Sequence, residues 1–349
     1  MIKLEVPNLT IRQYQEIPQW DAFVESHPQG TILHSTRMIQ CEEGTKLHYP
    51  HAYGALDSSG KLCALLVAVR ISTLGGVPGP LTSRSILHVG PIYLDSSAGR
   101  AGVRQLLKKH DEYMRKKTLF AEVRPVFEID RQDDPLVECG FQRHGYLNYE
   151  LWIDAPEIEL FDVIGPKCRN NVRGAQRKGV VIEEIDAASS IDLIYSLLSE
   201  SYAHARVPMV DRTLFQFATN LFSRSQLRVM LAKHQGVPIA VGCFLMFKKR
   251  IWCWYAGTKR VPGVPAMSCI FWEAIRMYSR EGFEVFDFAG GGWEGEDFGP
   301  GIFKAKFGGQ QTNFGRYRKI YAPWMMKAAE SVYEHVRDFI APRAQRFTP

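Results

Sequence analysis

The stretch Phe286-Asp287-Phe288-Ala289-Gly290-Gly291-Gly292, followed by Gly301-Ile302-Phe303-Lys304-Ala305-Lys306-Phe307-Gly308-Gly309, decides how the chain is read. Its first part has the composition of a buried strand and ends in three glycines. Glycines at a strand end let a ligand approach bare backbone. A loop follows, then a lysine between aromatics, then a second glycine turn. A lysine just beyond bare backbone supplies a point charge for an oxyanion or a phosphate.

Outward from this stretch, two halves of the chain look alike. In the first, Ala52–Leu56 reads as a strand, Asp57-Ser58-Ser59-Gly60 as a hairpin turn and Lys61–Ser72 as a long strand. In the second, Leu227–Lys233, the turn His234-Gln235-Gly236 and Val237–Lys249 repeat the pattern, which continues into Arg250–Thr258. A helix is expected over Gly99–Lys117, then strands at Leu119–Arg124 and near Tyr146–Ile153. The second half has a helix at Ala266–Glu281, where Met267, Ile270, Phe271, Ala274, Ile275 and Tyr278 share one face, and a strand at Glu284–Phe288. This alternation predicts an α/β fold built twice, and a tandem of GNAT-like domains, each a mixed β-sheet flanked by helices, satisfies it. The expected division is 1–154 and 155–319, with the boundary near Asp154-Ala155-Pro156. Trp324–Ile340 reads as an amphipathic helix between Pro323 and Pro342.

The 349 residues suit about two domains. Hydrophobic content of 46% and charged content of 23% are those of a globular protein and exclude a disordered chain. The longest apolar runs, Leu62–Val69 and Val237–Phe247, fall short of the roughly 18 residues that span a bilayer. Met1–Pro7 lacks the build of a signal peptide, so the expected location is cytoplasmic. The seven cysteines are scattered, with no Cys-x-x-Cys, and the ten histidines form no His-x-x-x-His pair, so no metal and no cofactor are expected. The net charge of +6 is mild, but cations gather at Lys167–Lys178, Lys248–Arg250, Lys304–Lys306 and Arg316–Lys319, which suits a polyanion. Arg169, Arg173 and Arg177 share a helix face and, with Lys178 and Lys306, form the expected phosphate-tracking set.

Several segments in order resemble the FemABX family, acyltransferases that move an amino acid from aminoacyl-tRNA onto a cell-wall peptide precursor. They are Phe23–Ser35 (an opening helix and a Pro-x-Gly turn), Val89-Gly90-Pro91-Ile92, Glu122-Val123-Arg124-Pro125, Glu138-Cys139-Gly140-Phe141, Arg169–Val180 and the two C-terminal motifs quoted first. The resemblance implies aminoacyl-tRNA as donor and an amine-bearing acceptor, nucleotide- or lipid-linked, and a C-terminal helix, 320–349, packed on the first domain. It assigns Lys304 to the oxyanion or the tRNA end, and Phe303 to stacking. It places Arg206 and Arg212 near the precursor phosphates with Tyr202 close by, and Gly290 and Gly291 against substrate. Glu122 and Arg124 would face the first domain's cleft, where a carboxylate could accept the amine proton or form an ion pair at the strand end. Two departures stand out. Met38 and Glu42 stand where cell-wall members often carry a tryptophan and then a lysine, the lysine helping to hold the precursor's diphosphate, which leaves Arg37 to substitute, and the long helical hairpin of some members is absent.

Aminolysis of an activated ester needs alignment and an oxyanion site rather than a catalytic triad. Two other readings remain. One is an acyl-CoA-dependent N-acyltransferase, with Arg260-Val261-Pro262-Gly263-Val264-Pro265-Ala266 as the pyrophosphate loop, although Pro265 removes a donor. The other is a non-catalytic tandem binding domain, against which Lys304 and its glycine loops argue.

Overall fold

The computed structural model describes residues 8–73, 82–205 and 207–327. They form two compact units: the residues up to Gly145 together with those from Phe314 onward, and Tyr146–Asn313. In chain order the first runs β1 (Thr10–Gln13), α1 (Trp20–Ser26), α2 (Thr36–Gly44), β2 (His48–Leu56), β3 (Leu62–Ser72), β4 (Ser83–Leu87), β5 (Ile92–Tyr93), α3 (Ser97–Met114), β6 (Phe120–Val123), α4 (Pro135–Glu138) and β7 (Gln142–His144). The second runs β8 (Tyr146–Trp152), α5 (Glu157–Val163), α6 (Pro166–Arg177), β9 (Val180–Ile185), α7 (Ile191–His204), α8 (Thr213–Leu221), β10 (Leu227–His234), β11 (Val237–Phe247), β12 (Arg250–Thr258), α9 (Ala266–Arg280), β13 (Val285–Trp293), α10 (Gly299–Lys306) and β14 (Gln310–Thr312). The chain then returns to the first unit as β15 (Arg316–Ile320).

Each unit holds one mixed sheet, in the order β1-β2-β3-β4-β6-β15-β7, with β5 beside β3, and β14-β8-β13-β12-β11-β10-β9. The repeat lies in β2-β3-β4-α3-β6 and β10-β11-β12-α9-β13. In both, an antiparallel meander is followed by a helix that returns the chain to a strand parallel to the last, β6 to β4 and β13 to β12. A parallel neighbour requires such a crossover, which is why each helix falls where it does. Ser96 caps α3 by accepting from the Gly99 amide, and Val103, Leu106, Leu107 and Met114 turn one face to the sheet. Gly102 lets this helix sit close, since a Cβ there would lie 3.0 Å from that of Ala55. In the second unit α9 buries Ile270, Phe271, Ala274, Ile275 and Tyr278 on one sheet face. Ile270, Phe271 and Ile275 each contribute ~1.5–3 kcal/mol. On the other face α7 and α8 bury Ile194, Leu197, Leu198 and Phe215.

Two strands sit in the other unit from the one expected. Tyr146–Trp152, read as the last strand of the first domain, is β8 of the second sheet, and β15 completes the first. The division therefore falls at Gly145, not Asp154. Strand partners are chosen by packing across long sequence separations, here Tyr149 and Leu151 against the core of Phe286 and Phe288. Residues 323–327 open a helix, and the rest of the expected tail helix lies outside the described residues.

Charge stitches β15 into the first sheet. Glu122 on β6 is buried and accepts from Arg124 at 2.8 Å and from Arg318 on β15 at 2.7 Å, with Arg316 at 3.6 Å. Burial pushes its carboxyl up, but Arg124, Arg316 and Arg318 outweigh burial and hold it at about 2. His110 on α3 is likewise buried, with Nε2 2.8 Å from Ser85 Oγ. Burial pushes its imidazole down to about 4 from 6.5.

These two groups predict two acid windows. The unfolded chain protonates its histidine near pH 6.5 and folded His110 resists until about 4, so stability falls between those values, by about 3 kcal/mol from His110. The Glu122 contribution is fully present above its unfolded value of 4.5 and is lost as pH falls towards 2. Denaturant melts from pH 7 to 3 should show both losses. His110→Gln should shrink only the upper window, which His51 and His88, also pushed down to about 4 by burial, share with it, and Glu122→Gln only the lower.

Candidate active site

The second unit's site begins where two parallel strands part. β12 and β13 pair only at Arg250↔Val285, Ile251↔Phe286 and Trp252↔Asp287, although both run further. Past Asp287, β13 follows β8 with two register breaks, at Asp287/Gly290 and Gly290/Gly292. Asp287 Oδ1 accepts from the Ala289 amide at 2.7 Å, which folds the chain into the first bulge and leaves Ala289 at φ 61°. A bulge bends the strand that carries it, so β13 swings away from β12 and opens a gap. Gly290 and Gly291 pass so close to Tyr146 and Tyr149 that a Cβ would lie 2.7 Å and 2.2 Å from those rings.

α10 delivers Lys304 to that gap. A Cβ on Gly301 would fall 2.1 Å from the Gly291 carbonyl oxygen, so the helix rests on the strand's own backbone. Phe303 and Phe307 pack against Phe271, with ring centroids 5.6 and 5.9 Å away. With both phenylalanines in the core, Lys304 Nζ donates to the Gly290 carbonyl at 2.6 Å. Burial lowers its pKa, and Cys253 on β12 and Asp287 on β13 oppose that shift. The ammonium thus rests on β13 just past the last residue that pairs with β12.

Polar groups line the same place. Arg250 Nη1 donates to Glu150 at 2.7 Å and lies 3.6 Å from Asp287 Oδ2. Asn148 Nδ2 donates to Asp287 Oδ1 at 3.1 Å. Burial raises the Asp287 pKa against the pull of Arg250, and burial together with Asp287 raises that of Glu150. Sequence reasoning missed Asp287, Glu150 and Arg250 as site residues. An aspartate in the otherwise apolar run 285–288 was the available signal, whereas Glu150 and Arg250 reach it only through strand pairing.

The expected site residues fall in several places. Lys304, Gly290 and Gly291 come together, and Tyr202 on α7 packs on Tyr255 of β12, with ring centroids 6.1 Å apart. Lys304 lies in a helix, not in the expected turn, because the Gly301 contact and the two phenylalanines hold that segment helical. Phe303 has its ring in the aromatic core rather than beside a ligand. Arg169 donates to the Asp162 carbonyl at 2.7 Å, Arg173 stacks over Phe161, and Arg177 and Lys306 are exposed. Lys178 donates to the Gly263 carbonyl at 2.7 Å. Arg212 pairs with Asp192 at 2.6 Å. Arg206 lies outside the described residues. Arg37, exposed on α2, belongs to the first unit, as do Glu122 and Arg124. Glu122, expected as a proton acceptor, is held ionised by three arginines and has almost no basicity, which corrects that expectation. In the loop before α9, the Val264, Ala266 and Ser268 amides bond to Val261, Val264 and Pro265, and Pro262 and Pro265 carry no N–H. Among the described residues no cluster of three or more His, Cys, Asp or Glu could hold a metal ion, and no helix is long and apolar enough to cross a membrane.

A family model described as an acetyltransferase (GNAT) domain matches residues 166–298. The crystal structure of FemX is similar over 95% of this chain and 100% of its own, with TM-score 0.66 and 14% identity. The C-terminal domain of a putative lysylphosphatidylglycerol synthetase from Agrobacterium fabrum gives 0.56 and 14%, over 91% and 96%. A tandem GNAT protein from the clavulanic acid biosynthesis pathway gives 0.56 and 12%, over 90% and 99%. No curated protein sequence matches the chain. The fold is a tandem of GNAT-like domains, as in these structures.

Gly301 is the steric key to this site. Gly301→Ala should force α10 off β13 and cost about 1–3 kcal/mol, read as a lower denaturation midpoint. Gly299→Ala, where no atom lies within 4 Å of an added Cβ, is the control and should change little.

Proposed function

We propose that the protein is an aminoacyltransferase that moves an aminoacyl group from aminoacyl-tRNA to the amine of a peptide acceptor, nucleotide- or lipid-linked. The observation that carries this reading is the Lys304 ammonium, held on the Gly290 carbonyl at 2.6 Å just past the point where two strands part. The donor is already an activated ester. The amine attacks its carbonyl carbon, negative charge grows on the carbonyl oxygen, and the ribose hydroxyl leaves. A cation fixed on the protein, already oriented and partly desolvated, stabilises that oxygen better than one in bulk water. Gly290 and Gly291, without side chains, let β13 pass against the Tyr146 and Tyr149 rings and present the Gly290 carbonyl to Lys304.

A polyanionic donor suits the surface next to this gap. α6 carries Lys167, Arg169, Arg173 and Arg177 and no carboxylate. Its start is tied to the end of α10, since the Gly165 amide donates to the Lys306 carbonyl at 2.9 Å. Lys306 and Lys167 both lie close enough to Cys168 to act on its thiol. The basic helix therefore begins two residues from Lys304. The acyl-CoA alternative is disfavoured by the loop before α9. A pyrophosphate needs converging free amides, and there three amides are bonded within the loop while Pro262 and Pro265 have none. A tRNA donor places the reaction in the cytoplasm.

Two measurements test this reading. Filter binding of charged tRNA should weaken steeply between about 50 and 200 mM salt, and Arg173→Gln should reduce the salt slope by about one. Affinity that is flat with salt, or a melting shift with CoA alone, would overturn the donor assignment. Lys304→Ala should slow aminoacyl transfer from tRNA to glycinamide about 10²-fold, roughly 3 kcal/mol of transition-state stabilisation, with tRNA affinity little changed. Lys306→Ala should be milder. Near-normal turnover in both variants would remove Lys304 from the chemistry.

A further inference from the structure

We propose that Asp287 takes the proton from the attacking amine, through Oδ2, in the gap between β12 and β13. This rests on the aminoacyl-transfer reading above and names a catalytic residue that it leaves open. An amine arrives largely as its ammonium at neutral pH. One proton passes from R–NH3+ to the carboxylate, and the freed nitrogen lone pair forms the C–N bond. The ester C–O bond then breaks, its electron pair stays on the ribose oxygen, and that oxygen takes the second proton from the nitrogen. The products are amide, free ribose hydroxyl and protonated Asp287, which returns its proton to solvent. No other co-reactant is needed.

The geometry singles out this one carboxylate oxygen. Oδ1 is used twice, by Asn148 Nδ2 at 3.1 Å and by the Ala289 amide at 2.7 Å. Oδ2 is buried and has no hydrogen-bond donor. Its strand partner Trp252 is also buried, and its indole N–H has no acceptor. A lone acceptor and a lone donor thus sit on the last residue pair before the strands part. Buried polar atoms of this kind are costly and are seldom left unmatched without a reason. A substrate that brings a donor and an acceptor into the gap satisfies both.

The groups facing Asp287 leave it basic. Glu150 on β8 draws Arg250 to itself at 2.7 Å, leaving that guanidinium 3.6 Å from Oδ2. Gly290 holds Lys304 from the α10 side. Asn148 is neutral, and burial pushes the Cys253 thiol to about 12, so it is uncharged at neutral pH. Neither cation therefore caps Oδ2, and burial favours the protonated acid. Glu122 shows the opposite arrangement, with three arginines, and is excluded from the role. Oδ2 is buried in the free protein, so the amine's entry and the proton's return to solvent both use the gap beside half-exposed Ala289 and Gly290.

The test uses two amines and one titration. Asp287→Asn keeps an oxygen for Asn148 and Ala289, so the bulge should survive. With charged tRNA as donor, the variant should transfer to glycinamide about 10²-fold more slowly at neutral pH, and recover as rising pH frees the amine by itself. Transfer to hydroxylamine, already unprotonated at neutral pH, should stay near the wild-type rate. Equal losses with both amines would mean a structural role and overturn the proposal. Wild-type protein that transfers to neither amine would overturn the aminoacyl-transfer reading and this proposal with it. Should the variant not fold, carbon-13 titration of the wild-type carboxyl groups decides. Asp287 must titrate above the ordinary aspartate value of 3.8, and a value at or below it would overturn the assignment.

Discussion

The helix α10 lies directly on the backbone of β13, because Gly301 has no Cβ to strike the Gly291 carbonyl, and much of the second unit follows from that contact. At van der Waals range the helix can insert Phe303 and Phe307 among Phe271 and Phe288. Those two rings fix the rotation of the helix, and the rotation aims Lys304 at the parted strands. The same helix ends on the Gly165 amide, which sets where α6 starts. A steric permission at one residue thus positions an ammonium, an aromatic core and a basic helix together. The bulges of β13 complete the arrangement, since an unbulged strand would stay paired with β12 and close the gap.

The parts of this protein that were legible in its sequence are the local ones. The two hairpins and the helix at 266–281 announce themselves by turn residues and one-sided periodicity, signals carried within a dozen residues. Sheet membership was not legible. Tyr146–Trp152 and Arg316–Ile320 read as strands or basic segments, but their partners lie more than 100 residues away for β8 on β13 and nearly 200 for β15 on β6. The motif around Lys304 was visible, yet Gly299-Pro300-Gly301 reads as loop. Only the contact with Gly291 makes that stretch a helix. The glycines were read as room for a ligand, and at Gly291 and Gly301 part of their work is to let a helix meet a strand. Asp287 stands in the same motif, but its partners Asn148, Glu150 and Arg250 are brought to it by strand pairing, which no local pattern shows.

Glu122 and Asp287 show how little a residue type says about acid–base behaviour. Both are buried carboxylates on strands that follow a crossover helix, at equivalent places in the two halves of the repeat. Glu122 is ringed by Arg124, Arg316 and Arg318 and is locked as an anion that binds a strand. Asp287 has a single arginine at 3.6 Å, already engaged elsewhere, and its proton affinity rises. The number of guanidinium groups within reach separates a structural anion from a proton acceptor, and two of the three at Glu122 come from β15.

That strand carries a consequence for how the protein is made. β15 is the chain's return to its first sheet after the whole second unit, and it sits between β6 and β7 rather than at an edge. Tyr317 fills the core there, with its hydroxyl donating to Asp134 at 2.7 Å. During synthesis the first sheet is therefore an interrupted one, with β6 and β7 facing an empty slot and Glu122 lacking two of its arginines until residue 320 has left the ribosome. The unit translated first is the last to be finished. Through most of translation its open strand edges and half-paired buried carboxylate make it the vulnerable species, the one that chaperones and proteases meet.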